Sequence, residues 1–253
     1  MIAAVFGIFG LAVGSFLNVV IQRVPAKASL LHPPSSCPLC QTPIRHRDNV
    51  PVLSFVLLKG RCRTCRARIS PRYPLVELLT AGLFVGAAVR YPDIELAAFV
   101  AAACAVFVAL AFIDLDTRRV PNVIVLPSTA AAVAWVAVAA LVRGDLSLLV
   151  NSLASGAAGF VLLFVIAVVS GGMGFGDVKL AAFIGVTTGR LGYEAFVLAL
   201  FGGFVLGGLV ATVLLVTKRR GRKDAIPFAP ALCAGAVIGL FAGAEPVRVW
   251  LGV

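Results

Sequence analysis

LAAFVAAACAVFVALAFIDLDTRRVPN, residues 96–122, is the stretch of this sequence that decides the fold. It is apolar and uncharged up to Asp114, close to the roughly 20 residues that an α-helix needs to cross a bilayer. Polar side chains follow at once, and they include the carboxylates of Asp114 and Asp116 and the cations Arg118 and Arg119. The pattern predicts a transmembrane helix with a carboxylate at its membrane edge, where a charge is costly and usually functional.

The rest of the chain repeats this apolar pattern. Of its 253 residues, 60% are hydrophobic and 13% are charged, whereas a soluble domain has about 25% charged residues. The composition therefore predicts an all-α, polytopic membrane protein with about eight transmembrane helices. The predicted spans are residues 2–22, 74–90, 96–114, 121–142, 146–170, 177–189, 194–217 and 226–244. Because Arg23 and Lys27 follow the first span rather than precede it, we expect a retained anchor and not a cleaved secretory signal.

The net charge of +11 follows the predicted topology rather than a nucleic-acid site. With residues 23–73 in the cytoplasm and a change of side at every span, the cytoplasmic segments carry 18 of the 22 Lys and Arg residues. These segments are 23–73, 114–122, 171–179 and 218–224. The positive-inside rule then places both termini outside. We expect membrane lipid and no nucleic acid as the partner of these cations.

The polar segment 23–73 separates the first transmembrane helix, 1–22, from the remaining membrane domain, 74–253. It contains two Cys-x-x-Cys pairs with 21 residues between them, formed by Cys37, Cys40, Cys62 and Cys65. Four thiolates in this pattern are typical of tetrahedral Zn²⁺ and leave no position for a catalytic water. We expect a structural zinc ion, because about 50 mostly polar residues bury too little apolar surface to fold unaided. Disulfides are the alternative, which a reducing cytoplasm disfavours.

A second polar cluster, GMGFGDVKL at residues 172–180, places Asp177 at the start of a predicted span. In the predicted topology Asp177 and Asp114 lie at the same membrane face and can meet. Two carboxylates held together share one proton, so one can activate water while the other protonates the peptide. We predict that Asp114 and Asp177 are the catalytic pair of an aspartyl protease. We prefer Asp114 to Asp116, because Asp116 neighbours two arginines in a pattern typical of a surface ion pair.

Three glycines, Gly172, Gly174 and Gly176, precede Asp177. Because they lack a Cβ atom, we expect them to let an extended substrate approach this carboxylate closely. Two other classes of function remain open from these residues alone. One is a proton-coupled membrane transporter that uses the paired acids, and the other is a scaffold that carries out no chemistry.

Further motifs extend over nearly the whole chain. They are Gly14-Ser-Phe-Leu-Asn-Val-Val-Ile21, Asp48-Asn-Val-Pro51 and Arg72-Tyr-Pro-Leu-Val-Glu77. Together with the cysteine pairs and the two aspartate clusters, and in this order, they resemble the prepilin peptidases, also called type IV leader peptidases. The Gly-x-Gly-Asp element alone is less specific, because intramembrane aspartyl proteases share it more widely.

The resemblance implies an enzyme of the bacterial inner (cytoplasmic) membrane, with its active site facing the cytoplasm. Such an enzyme cuts the basic leader from type IV prepilins and pseudopilins, after glycine and usually before phenylalanine. The resemblance also implies methylation of the new terminal amine by S-adenosylmethionine, zinc at the four cysteines, and the hydrolytic role of Asp114 and Asp177. Glu77 is a candidate for binding the cofactor or the substrate amine, or else a partner for Arg72. One departure is Val120-Pro121-Asn122, where the family often has Leu-Pro-Asp, and it bears on local substrate contacts rather than on hydrolysis.

Overall fold

The computed structural model describes residues 1–217 and 227–243, and these residues form helices and connections without an extended strand. The helices are α1 (Ile2–Arg23), α2 (Leu53–Leu57), α3 (Arg72–Arg90), α4 (Ile94–Thr117), α5 (Asn122–Arg143), α6 (Ser147–Ser170), α7 (Phe175–Gly189), α8 (Tyr193–Val216) and α9 (Ala229–Ala242). All of them except α2 coincide with predicted spans. Residues 226 and 244, the predicted ends of the last span, and the basic segment 218–224 lie outside the described residues.

The lengths of these helices confirm an all-α, multi-pass membrane protein. Among the described residues, α1, α3, α4, α5, α6 and α8 are long and apolar enough to cross a bilayer. The other two, α7 and α9, have 15 and 14 residues. Large apolar side chains remain exposed on the long helices, as Phe201 and Leu209 do on α8, and this suits contact with lipid.

The chain forms two compact units, Met1–Ala109 and Leu110–Val253. In the first unit, α1 packs along α3 with almost no space between the two backbones. A Cβ atom on Gly14 would lie 2.7 Å from the Cα of Glu77, and one on Gly10 would lie 2.8 Å from the Cα of Ala81. Glycines four residues apart on one helix face are a usual means of bringing membrane helices this close.

In the second unit, α7 is the central helix and contacts α5, α6, α8 and α9. Its contact with α6 is again made through glycine. A Cβ atom on Gly159 of α6 would lie 2.6 Å from the carbonyl oxygen of Ala181, and one on Gly189 of α7 would lie 2.7 Å from that of Asn151. Because its neighbours hold α7 on several sides, the position of its first turn, which carries Asp177, is fixed by packing.

The end of α4 differs from the prediction. The predicted span ends at Asp114, but the helix continues for one more turn to Thr117, and the Arg118 N–H donates to the Asp114 carbonyl at 2.8 Å. Hydropathy detects the loss of apolar side chains, whereas the backbone hydrogen bonds continue past the membrane edge. Arg118 then adopts φ +52°, a left-handed conformation that is uncommon for a residue with a side chain and ends the helix.

Candidate active site and metal centre

The structure brings the two predicted catalytic aspartates to one place in the second unit. Asp114, near the end of α4, and Asp177, in the first turn of α7, line the same cavity, and their carboxylates are close enough to interact electrostatically. Asp114 is only 5% exposed, whereas Asp116 is exposed. This difference supports the choice of Asp114 over Asp116, and the catalytic role of the pair stays a prediction.

Backbone N–H groups hold both carboxylates. The Ala229 N–H, at the first residue of α9, donates to Oδ2 of Asp114 at 3.2 Å. The Gly174 N–H donates to the carboxylate of Asp177, whose own N–H donates to the Gly174 carbonyl at 3.0 Å. This reciprocal pair of hydrogen bonds joins Gly174, which caps the amino end of α7, to Asp177, the third residue of that helix. Each carboxylate therefore lies near the amino end of a helix, where the exposed N–H groups favour a negative charge.

The cavity around the pair has a volume of about 350 Å³. Its lining residues are Asp114, Arg118, Ser170, Gly172, Met173, Gly174, Asp177, Pro227 and Phe228. Water and a short extended peptide fit a space of this size. The sequence did not predict that Ser170, Pro227 and Phe228 line this cavity. Pro227 and Phe228 could not be predicted, because nothing in the sequence links the start of α9 to Asp114.

The three glycines before Asp177 do not share one role. Gly172 and Gly174 line the cavity, and a Cβ atom on either would meet no other atom closer than 3.7 Å, so space is open beside both glycines; that a substrate uses it stays a prediction. Gly176 instead faces Val120, whose Cβ would lie 2.9 Å from a Cβ atom at position 176. The expectation for Gly176 was therefore incomplete, because this glycine lets the start of α7 pack against the connection between α4 and α5.

A hydrogen bond reinforces this contact. Nζ of Lys179 donates to Oδ1 of Asn122 at 2.9 Å and so links the start of α7 to the start of α5. Asn122 is one of the two residues, with Val120, at which the chain departs from the expected Leu-Pro-Asp pattern. An amide oxygen accepts this bond without neutralising the ammonium group.

The four cysteines form one cluster in the first unit, as predicted. Their sulfur atoms lie within 4.8 Å of one another, with Sγ of Cys37 3.8 Å from Cys65 and Sγ of Cys40 4.0 Å from Cys62. A disulfide would require about 2.05 Å, whereas a tetrahedron of sulfurs about 2.3 Å from Zn²⁺ has edges of about 3.8 Å. The residues therefore fit a zinc ion held by four thiolates.

The two cysteine pairs lie in equivalent turns. The Cys37 N–H donates to the Thr42 carbonyl at 3.0 Å, and the Cys62 N–H donates to the Ala67 carbonyl at 2.8 Å. The residue after each pair, Gln41 or Arg66, has a positive φ, of 57° and 59°. The same fold of the backbone, used twice, presents two thiols from each turn to one point.

Hydrogen bonds favour the thiolate form that a metal requires at two of the four cysteines, Cys40 and Cys62. The Thr42 hydroxyl, 3.3 Å from Sγ of Cys40, stabilises the thiolate and lowers the pKa of Cys40 to about 6. The backbone N–H of Cys65 likewise lowers the pKa of Cys62. Burial and the neighbouring thiols instead raise the pKa of Cys65 to about 11, so this thiol has to release its proton when a metal binds.

Glu77 is buried, at 8% exposure, and its contacts are structural. Its Oε2 accepts the Val52 N–H at 2.7 Å, and the Ser15 hydroxyl also donates to its carboxylate. Val52 has φ +60°, unusual for a β-branched residue, so this bond holds a strained residue at the start of α2. Glu77 thus joins α1, α3 and the polar segment. Its predicted role in binding the cofactor stays a prediction, and in this arrangement the carboxylate is already used.

Comparison with known proteins gives two family models that cover most of the chain. The model described as "Bacterial Peptidase A24 N-terminal domain" matches residues 8–91, and the model described as "Type IV leader peptidase family" matches residues 101–212. The first matched segment lies within the first compact unit, and the second lies in the second unit except for residues 101–109. No solved structure matches the chain.

Individual relatives match along almost their whole length. A "Prepilin leader peptidase/N-methyltransferase" of Bacillus subtilis (strain 168) is 36% identical over 252 residues, and the match covers 96% of each chain. A protein of the same name from Burkholderia pseudomallei (strain 1026b) is 33% identical, over 97% of this chain and 86% of its own. A "Type 4 prepilin-like proteins leader peptide-processing enzyme" of Escherichia coli O78:H11 is 34% identical, over 92% of this chain and 91% of its own.

Proposed function

Because the chain belongs to the type IV leader peptidase family, we propose that it removes the leader peptide from type IV prepilins and pseudopilins. We further propose that Asp114 and Asp177 carry out the hydrolysis, that the chain methylates the new terminal amine, and that the site faces the cytoplasm from a bacterial inner membrane. The names of the relatives support both activities, and the long apolar helices support the membrane location.

The single observation that supports hydrolysis best is the meeting of Asp114 and Asp177 in one cavity. These residues belong to helices separated by two complete spans, so their meeting is a property of the fold. Met173 and Phe228 give the cavity an apolar part beside the two carboxylates, and a lower local dielectric there strengthens the electrostatic coupling of the pair. Two carboxylates in such a site share a proton and so provide both an acid and a base.

The proposed reaction is general acid–base hydrolysis without a covalent intermediate. The ionised carboxylate of the pair takes a proton from water, whose oxygen attacks the peptide carbonyl carbon, while the protonated carboxyl donates to the carbonyl oxygen. The C–N bond then breaks as the leaving nitrogen gains a proton. The products are a leader with a free carboxylate and a mature chain with a free amine.

The substrate has to present an extended peptide to this cavity. A helical backbone is hydrogen-bonded internally and shields its carbonyl groups, so the segment that is cut must unwind locally. Glycine at the cut position, as the family resemblance implies, favours unwinding because glycine is a poor helix former. Gly172 and Gly174 leave space for that segment next to Asp177.

For methylation, S-adenosylmethionine would supply the methyl group to the new terminal amine. Glu77, the predicted binding residue, is buried and bonded to Val52 and Ser15, so it does not fit as a free binding group in this arrangement. We therefore derive no step of methyl transfer from these residues. The zinc ion that the four cysteines fit would stabilise the polar segment and would leave no position for a reacting water.

Mass spectrometry of a co-expressed prepilin tests the proposal. We expect a trimmed, methylated product with the wild-type chain and no trimming with Asp114→Asn or Asp177→Asn, both of which preserve shape while removing the titratable carboxyl. Asp116→Asn is the matched control, because this neighbouring acid is exposed, and it should trim normally. Normal trimming by either variant of the pair would remove that residue from the mechanism. An untrimmed substrate with a well-folded wild-type chain would favour the transporter instead.

A further inference from the structure

The start of the short helix α2 is bonded to α3 close to the beginning of the predicted span 74–90. The Val52 N–H at its start donates to Oε2 of Glu77 at 2.7 Å. Glu77 is five residues into α3, or roughly 7 Å along that helix at about 1.5 Å per residue. It also lies inside the predicted span 74–90. A hydrogen bond of this length puts Val52 and Glu77 in direct contact. The start of α2 therefore lies beside the first turns of α3, where the predicted membrane span begins.

The inward side of α2 is fixed by a buried hydroxyl. Oγ of Ser54 accepts the Val50 N–H at 3.0 Å and donates to the Arg47 carbonyl at 3.1 Å, and Ser54 is buried. A different side of α2, about 100° around the helix axis, carries aliphatic side chains at positions i, i+3 and i+4, which share one helix face. These are Leu53, Val56 and Leu57, which are 54%, 63% and 70% exposed.

Two cations without an ion pair to any described residue flank this apolar face. Lys59 and Arg61 follow α2 directly and are exposed. The one acid between residues 24 and 71, Asp48, is bound by Arg63 through two hydrogen bonds of 2.6 and 2.8 Å. The segment around α2 therefore offers an apolar face and positive charge without a free carboxylate to repel an anion.

We propose that α2 is an interfacial helix that docks on anionic phospholipid. Leu53, Val56 and Leu57 enter the headgroup layer, and Lys59 and Arg61 bind lipid phosphates. The combination of an aliphatic face and neighbouring cations is the usual basis of binding at an anionic membrane surface. A protein partner is a poorer fit, because a stable interface needs about 800 Å² from each side and a five-residue helix supplies far less. The consequence is that the cysteine cluster is held against the membrane.

Tryptophan fluorescence with brominated lipids tests this docking. Leu57→Trp, in a chain whose Trp135 and Trp250 are replaced by Phe, places one reporter on the exposed face. The full-length protein is reconstituted in nanodiscs that contain phosphatidylglycerol. We expect bromine near the headgroups to quench the reporter at least twofold more than bromine near the chain ends. The same variant with Lys59→Gln and Arg61→Gln is the matched control, and we expect its quenching to fall by half or more.

Three results would overturn the docking. The first is a reporter that no brominated lipid quenches. The second is quenching that stays unchanged when the two cations are replaced or when phosphatidylglycerol is omitted. The third is an unquenched reporter whose emission shifts to the blue only when a prepilin is added, which would assign this face to the substrate. Retention of zinc by each variant verifies that the polar segment remains folded.

Discussion

The contact between Gly176 and Val120 makes the position of Asp177 sensitive to one methyl group. In Gly176→Ala, the new Cβ would lie 2.9 Å from Cβ and 3.3 Å from Cγ2 of Val120. Carbon atoms pack best at about 3.5–4.0 Å, so the start of α7 would have to move by about 1 Å away from the connection that follows Asp114. A displacement of about 1 Å in a catalytic site can cost about 10²-fold in rate, and the overpacking itself typically costs about 1–3 kcal/mol of stability.

Steady-state cleavage of a prepilin measures this effect. We expect Gly176→Ala to lower kcat by about one to two orders of magnitude, because Asp177 is displaced by about 1 Å. The change in KM should be smaller. Val120→Gly removes both close contacts and should restore most of the activity in the double variant. Val120→Ala is the matched control, because it keeps the Cβ that makes the 2.9 Å contact, and it should not restore activity. Full activity in Gly176→Ala, or equal rescue by both changes at Val120, would refute the reasoning.

Two further perturbations follow from the same structure. Lys179→Met removes the hydrogen bond to Asn122 and should lower the rate of prepilin cleavage several-fold. Asn122→Asp keeps the bond, adds at most about 1 kcal/mol of ion-pair energy and should retain activity. An equal loss of activity in both variants would contradict a role for this hydrogen bond. Removal of zinc by a chelator, or Cys62→Ser, should make the polar segment sensitive to proteolysis, whereas the detergent-solubilised protein should still trim prepilin. An immediate loss of trimming while the polar segment stays resistant to proteolysis would instead make the metal catalytic.

Much of this architecture could be predicted because it depends on local properties of the sequence. Apolar runs of sufficient length become helices in a bilayer, since every backbone group must then be satisfied within its own segment. The cysteine cluster could be predicted because two short turns fix most of its geometry. The pairing of Asp114 with Asp177 could be predicted from topology alone, because the change of side at each span leaves both at one membrane face.

The remaining features depend on contacts between distant segments. The position of α2 is set by the bond between Val52 and Glu77, and the role of Gly176 is set by Val120. Neither partner has a pattern in the sequence that points to the other. A buried carboxylate such as Glu77 suggests a binding residue when only the sequence is read, whereas in the fold it satisfies a strained backbone N–H. Hydropathy also cannot detect that α4 continues past Asp114, because it measures side chains and not backbone hydrogen bonds.

The shortness of α7 bears on where the proposed hydrolysis would take place relative to the bilayer. A helix of 15 residues is about 22 Å long, which is less than the roughly 30 Å thickness of the hydrocarbon layer. A lipid-exposed helix of that length would force the bilayer to thin around it. Contacts with α5, α6, α8 and α9 instead keep α7 inside the protein. Neighbouring helices rather than lipid therefore surround this short helix, and the bilayer does not have to match its length. The hydrolysis that we propose for Asp177 would then take place in a recess of the protein, while the surrounding membrane keeps its full thickness.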